Sequence, residues 1–199
     1  MRRIVMFNRV SSDGSFAAQS GSLDWVVPEP EIDRLGVAGM QSTDTVLFGR
    51  RTYEMFASFW PGVYANPESA RNPHGPGDES PELRAMATWL NDAKKLVFSR
   101  TLREASWHNT EILSEFSASA IEKLKQGPGQ SIIIFGSGSI VSRLSEHGLI
   151  DEYRLIVTPV VLGDGTPWLR GVSKRIRLAL LEAKAYPSGN VMLRYARSA

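Results

Sequence analysis

Three short stretches of this chain carry residue types suited to holding phosphate. The longest, Ser131 to Leu144, reads S-I-I-I-F-G-S-G-S-I-V-S-R-L. Ile132 to Phe135 are β-branched and aromatic, the pattern of a strand buried on both faces. Gly136 and Gly138 permit positive φ and close backbone approach, Ser137 and Ser139 add hydroxyls, and Ile140, Val141 and Leu144 begin a helical stripe with Ser139 as N-cap. A strand entering a helix through Gly-Ser-Gly-Ser aims free N–H groups and a helix dipole at one point, which suits an anion. Gly49-Arg50-Arg51-Thr52 follows the apolar run Thr45 to Phe48 in the same way, and Ser99-Arg100-Thr101 closes a third run that starts at Lys95. None is a complete motif by itself. The late glycines lack the third glycine of the dinucleotide fingerprint, since Val141 stands there, and no Gly-Lys-Ser/Thr follows them. Nor do they form a serine-hydrolase elbow, because Ser137 has Phe135 and Ser139 two residues either side.

The elements that must position these stretches alternate between strand and helix. Arg3 to Val10 reads as a first strand, followed by the turn formers Ser11 to Ser15. Phe16 to Pro30 is loop-like, and Ile32, Leu35, Val37 and Met40 predict a helix interrupted by Gly36 and Gly39. Tyr53, Phe56, Phe59 and Trp60 fall at helical spacing after Arg50. Pro61 to Pro81 holds five prolines and three glycines and reads as a long loop, either a surface insertion or an active-site flap. Glu82 to Asp92 and Ser117 to Gln126 read as helices, and Trp107 to Leu113 as a weaker strand. A helix from Ser139 ends at His147 with Gly148 as its C-cap. Tyr153 to Val161, Arg175 to Ala185 and Val191 to Ala196 read as strands, separated by turns at Gly163 to Pro167 and Pro187 to Asn190. Alternation followed by a β-rich tail predicts an α/β fold with a mostly parallel sheet and an antiparallel C-terminal edge. We expect a single domain over residues 1–199.

Composition narrows the function. The 199 residues include no cysteine, which excludes disulfides, thiolate catalysis and cysteine-ligated metals. His74, His108 and His147 share no metal-ligand spacing, so no metal site is expected. Net charge is +2 with scattered Lys and Arg. The densest cluster, Lys174-Arg175-Ile176-Arg177, reads as the solvent face of a strand, and nucleic acid is not an expected partner. No apolar run approaches the roughly 20 residues of a membrane span, and no signal peptide is evident, so a cytoplasmic protein is expected.

Ligands of open α/β sheets lie beyond the carboxyl ends of the strands. Three anion-binding corners on one such edge fit a ligand with several phosphates, such as NADPH, whose 2′-phosphate calls for a cation from Arg50 or Arg100. Hydride transfer from such a cofactor to a small-molecule substrate needs a proton from water or an acid. Asp13 and Asp24 are the candidate acids, although Asp13 equally suits fixing its own turn and Asp24 the approach to the first helix.

Four segments in order resemble the dihydrofolate reductase superfamily: D-T-V-L-F-G-R-R-T-Y-E, K-L-V-F-S-R-T-L, I-I-I-F-G-S-G-S-I and D-E-Y-R-L-I-V-T-P-V-V-L-G-D-G-T-P-W-L. The last segment, with S-S-D-G-S-F-A near the start, is most similar to the branch containing the RibD-type reductase domain of riboflavin biosynthesis. The resemblance implies a dihydrofolate reductase-like three-layer fold, a small heterocyclic substrate of pterin or aminopyrimidine type, and a homodimer. It places cofactor contacts at Gly49, Arg50 and Thr52, the adenosine-phosphate end at Ser99, Arg100 and Thr101, and the pyrophosphate at Gly136, Ser137, Gly138, Ser139 and Ile140. Trp25 and the Asp13 to Ala17 turn would flank the nicotinamide or substrate, with Leu162 to Asp164 closing over that face. Riboflavin-pathway reductases resemble E-x-G where Phe135 stands here, and D-G-K where this chain has Ser15. Those replacements keep a second reading open, a non-catalytic nucleotide-binding or regulatory module on the same fold.

Overall fold

The computed structural model describes residues 1–67 and 80–198. In chain order the elements are β1 (Ile4–Ser11), β2 (Ser15–Ala17), α1 (Pro30–Met40), β3 (Thr43–Gly49), α2 (Arg50–Ala65), α3 (Pro81–Asp92), β4 (Lys94–Phe98) and β5 (Thr110–Leu113). Then come α4 (Ala118–Gln126), β6 (Ser131–Phe135), α5 (Gly138–Glu146), β7 (Glu152–Thr158), β8 (Thr166–Pro167), β9 (Leu178–Ala185) and β10 (Val191–Arg197). Eight strands form one sheet in the order β5-β4-β3-β6-β1-β7-β10-β9. Pairing is parallel from β5 to β7 and antiparallel where β10 meets β7 and β9, as the sequence pattern predicts.

Strand alternation sends side chains to two helical layers. On one face Ile4, Met6, Ile132 and Ile134 pack with Ile121 of α4 and Val141 and Leu144 of α5. On the other, Phe48 and Val97 pack with Tyr53 of α2 and Leu90 of α3, while Ile32 of α1 covers Ile156 and Met192. Three helices start on side-chain caps: Glu29 accepts from Glu31 N–H (3.3 Å), Ser80 from Leu83 N–H (3.3 Å) and Ser117 from Ala120 N–H (3.3 Å). Each such cap satisfies one N–H that helix geometry leaves unpaired.

Several local expectations change. Gly36 and Gly39 do not interrupt α1; glycine weakens a helix by roughly 1 kcal/mol but does not end it. Helix α2 continues through Pro61 to Ala65, so the expected loop begins later. Residues 68–79 of that stretch, including His74, lie outside the described residues. Ser15–Ala17 and Thr166–Pro167, read as loop and turn, pair as a small antiparallel ribbon. Lys174 to Arg177 precede β9 instead of lying in it.

Two buried charges hold the sheet's far end. Lys95 is 0% exposed, and its Nζ donates to the carbonyls of Leu90 (2.7 Å), Asn91 (3.0 Å) and Ala93 (2.8 Å), closing the C-terminal turn of α3. Burial lowers its pKa to about 8. Glu152, also 0% exposed, joins three strands through Arg3 (2.9 Å), Arg154 (2.6 Å) and Arg194 (2.9 Å). Burial pushes its carboxyl up, but hydrogen bonds and charge from Arg154 and Arg194 outweigh that and leave it below the ordinary value.

Glu152→Gln is therefore expected to destabilise the fold. Losing one partner of a fully buried pair costs about 3–5 kcal/mol, and about 2–3 kcal/mol is expected here because the arginines reach water. The depressed carboxyl contributes stability above its unfolded value and loses it as pH falls through the folded value. The wild-type advantage in denaturant midpoint should accordingly shrink on acidification below pH 4.5.

Candidate functional site

The strand ends of β3 and β6 are clasped together by two reciprocal hydrogen bonds. Gly49 N–H donates to Ser137 Oγ (2.8 Å), and Ser137 N–H donates to Thr52 Oγ1 (3.2 Å). Ser137 sits at φ 54° and ψ 53° and is the N-cap of α5, two residues earlier than the expected Ser139. A left-handed serine costs roughly 1–2 kcal/mol, offset here by the buried acceptor it presents to Gly49. Ser137 O accepts from Ile140 N–H (2.8 Å) and Val141 N–H (3.0 Å). The N–H groups of Gly138 and Ser139, in the first turn, are left without intrahelical acceptors and provide the anion-facing end.

Gly136 and Gly138 are needed as glycines for different reasons. Gly136 has φ +56°, a conformation L side chains rarely adopt. A Cβ on Gly138 would lie 3.3 Å from Phe16 Cε1 and 3.4 Å from Trp168 O. The turn is thus covered closely by the ring of Phe16.

Gly49, Arg50, Thr52, Ser99, Arg100, Thr101 and Gly136 to Ser139 all line one cleft of about 1900 Å³. Arg50 is near half exposed and only loosely paired with Glu54 at 3.8 Å, so its charge can face an anion. Ser99 Oγ accepts from Thr101 N–H (3.2 Å) and Leu102 N–H (2.9 Å); it holds the turn that carries exposed Arg100. Ile140 does not line this cleft. Its side chain is buried in the core beside Val141, and its N–H is taken by Ser137.

Asp13, Asp24 and Trp25 likewise fall outside the cleft wall. Asp13 accepts from Ser11 Oγ, Leu162 N–H (3.2 Å) and Gly163 N–H (2.8 Å), which ties the β1–β2 turn to the loop after β7. Those bonds, Ser11's first, hold its carboxyl below the ordinary value. A carboxylate so committed is ionised at neutral pH and braces the loop. Asp24 N–H donates to Ser22 Oγ (3.1 Å), and buried Trp25 donates its Nε1–H to Ser22 O (3.2 Å); both organise the loop before α1. Gly165 makes the other side of this brace possible, since a Cβ there would lie 2.4 Å from Ser15 Cβ.

The same cleft has an aromatic side that composition did not reveal. Phe7, Phe56, Trp60 and Phe135 line it, with Phe56 and Phe135 stacked at 5.6 Å and 28° and Phe7 edge-on to Phe135 at 6.0 Å. Arg9, two residues beyond Phe7 and so on the same face of β1, donates Nη2–H to Asp33 of α1 (3.0 Å). Its Nη1 is buried without a hydrogen-bond partner among the described residues. Burial pulls the guanidinium below its ordinary value, while Asp33 and Glu29 oppose that. Strand alternation in I-V-M-F-N-R-V could have placed Arg9 beside Phe7; nothing in sequence pointed to Asp33 as its partner.

Comparisons with known proteins agree with this architecture. A family model described as RibD C-terminal domain matches residues 2–192. Protein YyaP of Bacillus subtilis (strain 168) is 30% identical over 199 residues, covering 98% of this chain and 94% of YyaP. A putative riboflavin biosynthesis protein from Shewanella sp. PV-4 superposes with a TM-score of 0.74 at 21% identity, over 99% of both chains. Dihydrofolate reductase from Enterococcus faecalis, solved with NADP(H), gives a TM-score of 0.61 at 11% identity over 99% of this chain and 97% of that one.

The clasp makes an ordering testable by denaturant unfolding. Ser137→Ala removes the acceptor of Gly49 N–H and is expected to cost about 1–3 kcal/mol. Ser137→Gly loses the same acceptor but relieves the left-handed strain, so its midpoint should fall between those of wild type and Ser137→Ala.

Proposed function

The chain belongs to the RibD C-terminal domain family, and from that premise we propose that it is an NADPH-dependent reductase acting on a small planar heterocycle. One observation carries the reading: three anion-binding strand ends and an aromatic lobe line a single cleft. The glycine turn fits a pyrophosphate, because Gly136 at φ +56° and Gly138 close against Phe16 leave the backbone N–H groups bare of side chains. Gly138 and Ser139 N–H groups would hold the pyrophosphate, while Arg50 and Arg100 would compete for the 2′-phosphate. Bound there, the nicotinamide supplies a hydride donor at C4.

The residues of the lobe define the other reactant. Phe56 and Phe135 offer an apolar face for a flat ring, and Arg9 offers donors at its edge. Phe135 stands where the riboflavin-pathway resemblance expects a glutamate, so a substrate polar group finds Arg9 and Asp33 instead. Asp13 and Asp24 stand off the cleft, and water would supply the proton. The alternative, a nucleotide-binding regulatory module, retains the anion corners but turns over nothing.

The chain is further proposed to act as a homodimer. Strand β9 ends the sheet with its outer edge open, and Leu180 and Leu181 on it are 57% and 50% exposed. Exposed leucines on an open edge invite pairing with a second copy.

Fluorescence titration should show NADPH bound more tightly than NADH. Arg50→Ala or Arg100→Ala should weaken NADPH by about tenfold, roughly 1.4 kcal/mol, with little change for NADH. Absence of binding to both nucleotides would overturn the cofactor reading. NADPH oxidation with dihydrofolate, the aminouracil riboflavin precursor and other flat heterocycles then separates reductase from regulatory module, since the latter oxidises none. A sedimentation mass of one chain would contradict the dimer.

A further inference from the structure

Asparagine 8 is the one side chain of β1 whose chemistry the preceding account leaves unused. It is 2% exposed, and neither Nδ2 nor Oδ1 has a hydrogen-bond partner among the described residues. Buried Asn190 shows what a structural asparagine does in this fold. It donates to Val27 O (3.1 Å) and Ser188 Oγ (2.9 Å) and accepts from Thr158 Oγ1 (3.0 Å). Burying a carboxamide with no partner is costly, whereas an apolar side chain of similar size would bear no such cost.

Position gives the orphan carboxamide its meaning. Asn8 pairs with Leu155 on the β7 side, but the β6 ladder ends one residue earlier, at Phe7 and Phe135. Beyond that end lies the left-handed turn Gly136-Ser137, so Asn8 adjoins the glycine turn on a strand end that lines the cleft. Phe16 Cε1 and Cε2 lie against Gly138 and Gly136, and this ring is what a flat ligand inserting beside the turn must displace.

A carboxamide presents one donor and one acceptor side by side. Its best complement is a second carboxamide or a lactam edge, which returns one acceptor and one donor in the same plane. The cofactor proposed above carries one such group, the carboxamide on its nicotinamide ring. We infer that the Asn8 carboxamide pairs with the nicotinamide carboxamide and so fixes which face of the ring is turned toward the substrate lobe. This rests on the NADPH reading and deepens it: Asn8 becomes the residue that recognises the reactive end of the cofactor, while the anion corners recognise its phosphates.

The test compares NADPH with its reduced 3-acetylpyridine analogue, which keeps the carbonyl acceptor and lacks the amide donor, and with 2′,5′-ADP, which lacks the nicotinamide half. Dissociation constants are measured by fluorescence titration or calorimetry. Wild type should prefer NADPH over the acetylpyridine form by tenfold or more. In Asn8→Leu that preference should fall to near unity, NADPH should weaken about tenfold or more, and 2′,5′-ADP should bind unchanged. Because the substitution removes two unpaired buried atoms, ligand-free Asn8→Leu should also melt no lower than wild type; Asn8→Ser, smaller and still polar, provides the same binding comparison should the leucine variant fail to fold.

An equal preference ratio in wild type and variants, with 2′,5′-ADP still bound, overturns this inference and leaves the cofactor reading intact. A fall in melting temperature with unaltered ratios overturns it as well, identifying Asn8 as structural. If wild type binds neither NADPH nor 2′,5′-ADP, the cofactor reading and this inference fall together.

Discussion

The hydrogen bonds between Gly49, Ser137 and Thr52 impose the constraint on which the rest of the site depends. Strands β3 and β6 are adjacent and parallel, so their following helices would otherwise diverge from a shared edge with no fixed spacing. Ser137 prevents this by entering the left-handed region, where its hydroxyl reaches back to the first helix's cap and its N–H to that helix's first turn. The hydroxyl that looks available for ligand binding is therefore consumed by architecture. Recognition of an anion here would fall to backbone groups, which hold their direction without side-chain entropy and tolerate a close approach.

Polar groups are treated differently at the two ends of the sheet. Near the amino ends of β7 and β4, Glu152 is met by three arginines and Lys95 by three carbonyls, so buried charge is matched by hydrogen bonding. Toward the carboxyl end of β1, the Asn8 carboxamide and Arg9 Nη1 are buried without hydrogen-bond partners among the described residues. Both residues lie in the second half of the same central strand, on opposite faces, Arg9 on the face of Phe7. Hydrogen bonding is fullest where buried charges brace the strands, and unsatisfied bonding capacity lies where the two proposed ligands would meet.

Much of this was legible in the sequence because its signals are local. A buried β-branched run ending in glycine, followed by a helical stripe, locates a strand end and a helix N-terminus without reference to the rest of the chain, as at Gly49 and Gly136. The α/β class and the antiparallel edge followed from the order of such signals. The less legible features depend on contacts between distant residues. Ser137, not Ser139, caps α5 because Gly49 lies 88 positions away in sequence yet needs an acceptor there. Asp13 reads as a candidate acid until Leu162 and Gly163 supply N–H donors from a loop 149 and 150 positions later. Ser15–Ala17 carries no strand pattern of its own and pairs only because Gly165 allows the backbones to approach.

Phe135 joins these observations into an argument about substrate. It ends the strand that enters the glycine turn, so its backbone helps set the anion site while its side chain stacks with Phe56 on the opposite face. A glutamate at this place would put an acceptor in the middle of the lobe and favour a substrate with donors. An aromatic ring there removes that acceptor, and on the Phe7 face of β1 Arg9 Nη1 is a buried donor without a hydrogen-bond partner among the described residues. On the proposed function, selection in the lobe would move from reading donors at the centre of a ring to stacking on its face and reading an acceptor at its edge. Under the proposed reductase reading, a matched substrate would be flat, largely apolar across its faces, and would carry a carbonyl or oxyanion at the margin nearest α1.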